Sequence, residues 1–185
     1  MSARDELKGI LQNKSIRTGD FTLASGKKSN FYVDCRVSTM DCRGAILVGE
    51  VGYQAIASKL SELTDKPVAI GGMTMGADPI SLAIAMESSR QGSPLQMFSV
   101  RKEAKKYGTG KRVEGNFQKG DTIILVEDTA TTGGSTLKAM DAIEAEGGQV
   151  AFVLILVDRQ EGAKEVIEER GVEVLSIYGK EELIA

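Results

Sequence analysis

Two patterns of apolar residues take turns along this chain: helical spacing, and short runs that are almost unbroken. Leu7, Ile10 and Leu11 share one face of a helix predicted over residues 3–13, and longer helical patterns cover 42–63 and 77–90. Apolar runs predict strands at Pro67–Ile70, Leu95–Val100, 122–126 and Val150–Val157, the last buried on both faces because no polar position interrupts it. A helix over 135–147, a helix over 162–170 and a strand over 173–178 complete the second half. Near the amino terminus, Ser15–Arg17 and Phe21–Leu23 predict a short hairpin turning at Thr18-Gly19-Asp20. Ser25-Gly26-Lys27-Lys28-Ser29 reads as a turn, Phe31–Asp34 as a strand and 101–116 as an irregular segment. Strands alternating with helices imply an α/β parallel sheet with right-handed crossovers, and ligands at the carboxyl ends of its strands.

Four of those strand ends carry unusual residues: Gly71–Asp78, Arg101–Lys105, Glu127–Ser135 and Asp158-Arg159. The third says most. Thr122-Ile-Ile-Leu-Val126 is followed by Glu127-Asp128, then Thr129-Ala130-Thr131-Thr132-Gly133-Gly134-Ser135-Thr136, and then by a helix with Leu137, Met140 and Ile143 on one face. Such a bend gathers backbone N–H groups and the positive end of a helix dipole, which suits a phosphate. Two acids beside it would repel a bare phosphate, so the ligand should also carry hydroxyls, as a ribose 5-phosphate does. An ordinary capped helix is the plainer reading, but the density of acids, hydroxyls and glycines in one turn outweighs it. The rival phosphate motifs fail. No lysine precedes the hydroxyls, the Gly71–Gly76 run is followed by Ala77 and Asp78, and no strand leads into Gly-x-Gly-x-x-Gly.

At 185 residues and 42% hydrophobic, the chain suffices for one domain with an ample core. A net charge of −3 argues against a general nucleic-acid binder. Charges in Met1–Lys8 replace the apolar stretch of a signal peptide, and no apolar run is long enough to span a bilayer. Cys35 and Cys42 with no histidine anywhere exclude the usual zinc site and give no disulfide framework, so a cytoplasmic setting is expected. Segment 101–116 holds six Lys/Arg against two Glu, a net +4 that leaves the rest of the chain at −7. With three glycines and few apolar side chains it reads as a basic flap suited to cover a polyanion. Arg159, after a buried strand, could grip an acidic planar ligand in bidentate fashion, although a surface ion pair with Asp158 or Glu161 is the commoner fate. Lys27 stands in a turn of small residues beside Phe31 and Tyr32.

Residues 123–136 resemble the PRPP-binding motif of type I phosphoribosyltransferases. Phe21–Asp34, Arg101-Lys102-Glu103-Ala104-Lys105 and Val157–Gly162 resemble the orotate phosphoribosyltransferase family in particular, as does Thr74-Met75-Gly76-Ala77-Asp78-Pro79. The resemblance implies the type I phosphoribosyltransferase fold: one α/β domain over 1–185, a parallel sheet with helices on both faces, an N-terminal hood over about 1–40 and a flap over about 101–116. It implies transfer of ribose 5-phosphate from PRPP to N1 of orotate, giving orotidine 5'-phosphate and pyrophosphate for UMP synthesis. Mg²⁺ would be carried largely by the pyrophosphate and ribose hydroxyls of the substrate, without dedicated protein ligands. The partners implied are PRPP, orotate and a second copy of the chain, whose flap reaches the neighbouring site; no nucleic acid or membrane is involved.

By match, Glu127 and Asp128 would hold the ribose hydroxyls, and Thr129, Ala130, Thr131, Thr132, Gly133, Gly134 and Ser135 the 5'-phosphate. Thr74, Met75 and Gly76 would form a pyrophosphate loop. Arg101, Lys102 and Lys105 would contact pyrophosphate, with Lys102 serving the other subunit. Lys27, Phe31, Tyr32, Thr131 and Arg159 would face orotate. Catalysis would rest on Lys105, Arg101 and Asp128. Many members carry a histidine just before the flap glycine, whereas Tyr107 precedes Gly108 here. A phenol with an ordinary pKa near 10 is a poor proton donor at neutral pH, so that role is absent or falls to Lys105 or water. A purine phosphoribosyltransferase would share 127–135 but lack the orotate-like 21–34 segment. A PRPP-sensing regulator would need a nucleic-acid surface for which this acidic chain offers little.

Overall fold

The computed structural model describes residues 1–22, 28–103 and 111–184. In chain order the elements are α1 (Ala3–Ile10), extended by a π-helical turn Leu11–Ser15, β1 (Ile16–Thr22), β2 (Lys28–Val33), α2 (Arg36–Thr39), α3 (Cys42–Glu62), β3 (Ala69–Met73), α4 (Ala77–Arg90) and β4 (Gln96–Val100). There follow β5 (Val113–Gly115), β6 (Thr122–Ala130), α5 (Gly134–Ala145), β7 (Gln149–Asp158), α6 (Ala163–Glu168), β8 (Glu173–Gly179) and α7 (Lys180–Ile184). The main sheet runs β5-β4-β3-β6-β7-β8, parallel except for the antiparallel edge strand β5.

Alternating side chains of the central strand feed two apolar layers. Ile124 and Val126 of β6 join Leu47 and Val51 of α3 and Ile80 and Ile84 of α4. Ile123 and Leu125 join Met140 and Ile143 of α5 and Ile167 of α6. Helices therefore cover both faces, and the unbroken run Phe152–Val157 of β7 supplies both layers. Each such side chain contributes roughly 1.5–3 kcal/mol on burial, so a polar residue anywhere in this run would open one layer. Asp41 caps α3 by accepting from the backbone N–H groups of Arg43 (3.1 Å) and Gly44 (2.9 Å).

The two-stranded β1-β2 sheet stands apart from the main one and differs from the sequence expectation. The chain does not turn at Thr18-Gly19-Asp20: β1 continues through them to Thr22, and a register shift between Thr18 and Phe21 absorbs Gly19. Gly19 resembled a turn because a bulge and a turn use the same residue type. Lys28 and Ser29, expected in a turn, lie in β2, and residues 23–27 fall outside the described residues. The segment 101–116 is not wholly irregular, since Val113–Gly115 pairs with β4. Strand β6 outlasts its apolar run by four residues, so Glu127 and Asp128 lie inside the strand rather than after it. The short helices α2 and α7 have no counterpart in the periodicity analysis.

Candidate active site

Strand β3 pairs with β4 on one side and β6 on the other. The connection leaving β3 passes through α4 on one face, and the one leaving β6 passes through α5 on the opposite face, so a crevice opens between their carboxyl ends. Register aligns the neighbouring ends: Gly72 faces Val126, Ala130 faces Asp158, and Asp158 faces Gly179. One rim thereby receives Thr74–Gly76, Glu127–Ser135, Arg159 and Lys180.

Glu127 is buried, and its Oε2 accepts hydrogen bonds from the Ser135 hydroxyl (2.6 Å) and the Thr136 hydroxyl (2.8 Å). Burial pushes its carboxyl up to about 7, against the pull of those two donors. Burial raises the Asp128 carboxyl as well, although the Thr129 N–H, 2.9 Å from Oδ1, holds its charged form. Two acids side by side in a poorly hydrated place do not ionise together easily. Ligand donors would relieve that cost.

The loop after β3 closes on Asp128. A Cβ added to Gly76 would lie 2.5 Å from the Asp128 carboxyl, so the backbone there abuts the acid. The Thr74–Met75 peptide is cis. Asp78, at the start of α4, accepts from the Thr74 hydroxyl (2.6 Å) and the Ser99 hydroxyl of β4 (2.7 Å), tying the loop to α4 and α4 to β4. After β6, Gly133 adopts φ +77° and brings the chain into α5, where the first N–H groups have no helical acceptor. Arg159 is buried, its backbone N–H donating to the Ala130 carbonyl (3.0 Å) and its Nη2 pairing with Glu161 (2.8 Å). Its guanidinium lies 5.6 Å from the centre of the Phe31 ring, as does the Lys180 ammonium.

Of the residues singled out from sequence, Glu127–Ser135 and Thr74–Gly76 are thus gathered in one crevice, with Arg159 and Phe31 on the same rim. Phe31 is buried, whereas Tyr32 is more open and packs its ring 5.6 Å from that of Phe21. Arg101 and Lys102 stand exposed beyond β4; Arg112 donates to both their carbonyls, and Arg101 lies 3.9 Å from Glu114. Lys27, Lys105 and Tyr107 lie outside the described residues. Sequence reading missed the anchoring roles of Asp78, Ser99 and Thr136. Asp78 lies in the same run as Thr74, but its second partner, Ser99, sits on β4, distant in sequence.

The parallel sheet, the switch-point crevice and the acid-then-glycine bend define the class as a phosphoribosyltransferase, and a family model described as phosphoribosyl transferase domain matches residues 46–177. Orotate phosphoribosyltransferase of Streptomyces coelicolor is 41% identical over 181 residues, 97% of this chain and 96% of that protein. That of Rhodopirellula baltica is 39% identical over 168 residues, covering 91% of this chain and 87% of its own. Among solved structures, Mycobacterium tuberculosis H37Rv orotate phosphoribosyltransferase in complex with PRPP superimposes with a TM-score of 0.81 at 34% identity, over 100% of both chains. The chain belongs to the orotate phosphoribosyltransferase family.

Proposed function

We propose that this protein transfers the 5-phosphoribosyl group of PRPP to N1 of orotate, forming orotidine 5'-phosphate and releasing pyrophosphate, in the cytoplasmic synthesis of UMP. The observation that carries this reading is the end of β6, where two adjacent acids adjoin the amino terminus of α5 and the second, Asp128, faces the Gly76 backbone. Ribose hydroxyls donate to Glu127 and Asp128, the amides and hydroxyls of Thr129–Ser135 hold the 5'-phosphate, and the Thr74–Gly76 loop receives pyrophosphate. As the C1'–O bond breaks, negative charge grows on pyrophosphate and positive charge on the sugar. Cations of the flap then stabilise the first, and Asp128 the second, more in the transition state than in the ground state. Orotate enters as its carboxylate anion; N1 forms the new bond to C1' and gives up its proton, which the departing pyrophosphate takes up, with Arg159, Phe31, Tyr32, Lys27 and Thr131 at its site.

Mg²⁺ fits the donor set. Among the described residues no cluster of three or more Asp, Glu, Cys or His side chains gathers to cage a metal. Mg²⁺ needs only one or two carboxylates beside substrate oxygens, and Glu127 and Asp128 offer two. When bound it would supply positive charge against the leaving pyrophosphate. Cys35 and Cys42 are free thiols, which accords with a reducing compartment, and no helix among the described residues is long and apolar enough to cross a membrane. Exposed Ile46, Leu82 and Met86 line one groove between α3 and α4, an apolar surface that supports pairing with a second copy of the chain.

Loss of orotate absorbance on mixing with PRPP and Mg²⁺ tests the reading, with uracil, adenine and hypoxanthine in parallel. Turnover of a purine instead of orotate would overturn it. Lys105→Ala is expected to lower turnover by roughly 10²–10³, as loss of one preorganised anion donor does elsewhere. Near-normal turnover would remove Lys105 from the mechanism. Asp78→Asn keeps the shape of the side chain but leaves one acceptor oxygen for two hydroxyls. With a charged hydrogen bond lost, the KM for PRPP should rise roughly 10-fold or more while that for orotate changes little. Equal changes in both would point to general loosening rather than a displaced loop.

A further inference from the structure

We propose that Arg36 is a pyrophosphate-binding residue, the cation that the Thr74–Met75–Gly76 loop itself lacks. The inference rests on the PRPP reading above and adds a residue that the motifs did not mark. A cleft of about 560 Å³ opens beside that loop, and Met75 and Arg36 both line it. The loop contributes backbone, a hydroxyl already given to Asp78, and an apolar side chain, so it has no charge of its own for a polyanion.

Arg36 is held in place from two directions. Its Nε and Nη2 donate to Asp34 at 2.8 and 2.9 Å, a bidentate pair that fixes the plane of the guanidinium. Cys35, the residue before it, is buried and lies 3.1 Å from the Thr129 hydroxyl and 3.5 Å from the Asp128 carbonyl. That contact pins the start of α2 to the end of β6. Nη1 has no hydrogen-bond partner among the described residues, and about half of the side chain, 48%, is exposed. The guanidinium and Asp128 feel each other's charge, Asp128 raising the arginine and Arg36 favouring the charged carboxylate.

Asp34 offsets part of this charge but occupies only the Nε–Nη2 edge of the guanidinium, and no acid of the cleft bonds to Nη1. Asp34 is committed to Arg36, while Asp41 pairs with Lys14 at 2.5 Å and caps α3. Arg36 therefore stands where the ribose acids and the pyrophosphate loop meet. It can shield the leaving group from Asp128 while Nη1 donates to it.

Calorimetric titration of the full chain with PRPP, inorganic pyrophosphate and ribose 5-phosphate tests the assignment. Arg36→Ala is expected to weaken PRPP and pyrophosphate by roughly 10- to 100-fold, the span of one charge-assisted contact, and to leave ribose 5-phosphate within about twofold. Arg36→Lys keeps the charge but not the fork and should fall between; it carries the same test if the alanine variant does not fold. Unchanged pyrophosphate affinity, or equal weakening of ribose 5-phosphate, overturns the proposal, because a purely structural ion pair would affect all three ligands alike. Arg36-dependent pyrophosphate binding by a protein that consumes no orotate would sink the orotate reading and leave this one standing.

Discussion

Glu127→Gln is expected to make the protein more stable at pH 8 and far less active. Burial lifts the Glu127 carboxyl to about 7 from an ordinary value of 4.5, so the folded state resists its ionisation. Between those two values the folded chain binds more protons than the unfolded one, and stability falls as pH rises through that window. Above it the full penalty stands, on the order of 3 kcal/mol. Glutamine carries no charge and can still accept from Ser135 or Thr136 through its one carbonyl oxygen. Each kcal/mol moves the melting temperature by about 2–4 °C in a chain of this size, so the variant should melt up to roughly 6–12 °C higher at pH 8. Below about pH 4.5, where both states of the wild type are protonated, that advantage should vanish. Activity should fall roughly 10²-fold, because ribose hydroxyls lose a charged acceptor. Thermal scans across pH check the first part, and initial rates check the second. A variant that melts no higher at pH 8 would show that the acid is not a stored cost, and normal rates would remove it from the ribose site.

Gly72→Ala is expected to cost at least about 3 kcal/mol, the upper end of the usual range for an overpacked core. A methyl there would sit 2.0 Å from the Val126 carbonyl oxygen and 2.7 Å from the Ala77 Cβ. The first obstacle is backbone of the neighbouring strand, which cannot swing aside as a side chain can. Relief would require β3 to part from β6 or α4 to lift, and either movement widens the crevice. The urea midpoint should drop in proportion to the lost stability, with the slope unchanged. What folded protein remains should bind PRPP poorly, because the displaced segment leads directly into Thr74–Gly76. A midpoint within error of the wild type would contradict the close β3-β6 approach on which the site depends.

Periodicity and local chemistry sufficed for much of this protein. The 3.6-residue spacing in 42–63 and 77–90 produced α3 and α4 almost to the residue, because the buried stripe of a helix is written at fixed intervals. The unbroken run at 150–157 marked β7 as buried on both faces for the same reason. Glu127–Ser135 was legible because acids, hydroxyls and glycines lie in one continuous bend, so adjacency in sequence already is adjacency in space. What remained hidden was decided by contacts between distant segments. Gly19 could signal a turn or a bulge, and only its pairing with β2 selected the bulge. Glu127 and Asp128 looked like the end of a strand because polarity ends a run, yet hydrogen bonding to β7 carries β6 on to Ala130. Asp78, in α4, acquires its role from Ser99 on β4, and Arg36 acquires its place from Cys35 packed on Thr129. Sequence thus determined the layers and the bend of acids, hydroxyls and glycines after β6, since both arise from local spacing. Tertiary structure alone decided which charges face one another across the crevice, because Coulomb forces and hydrogen bonds depend on distance in space and not along the chain.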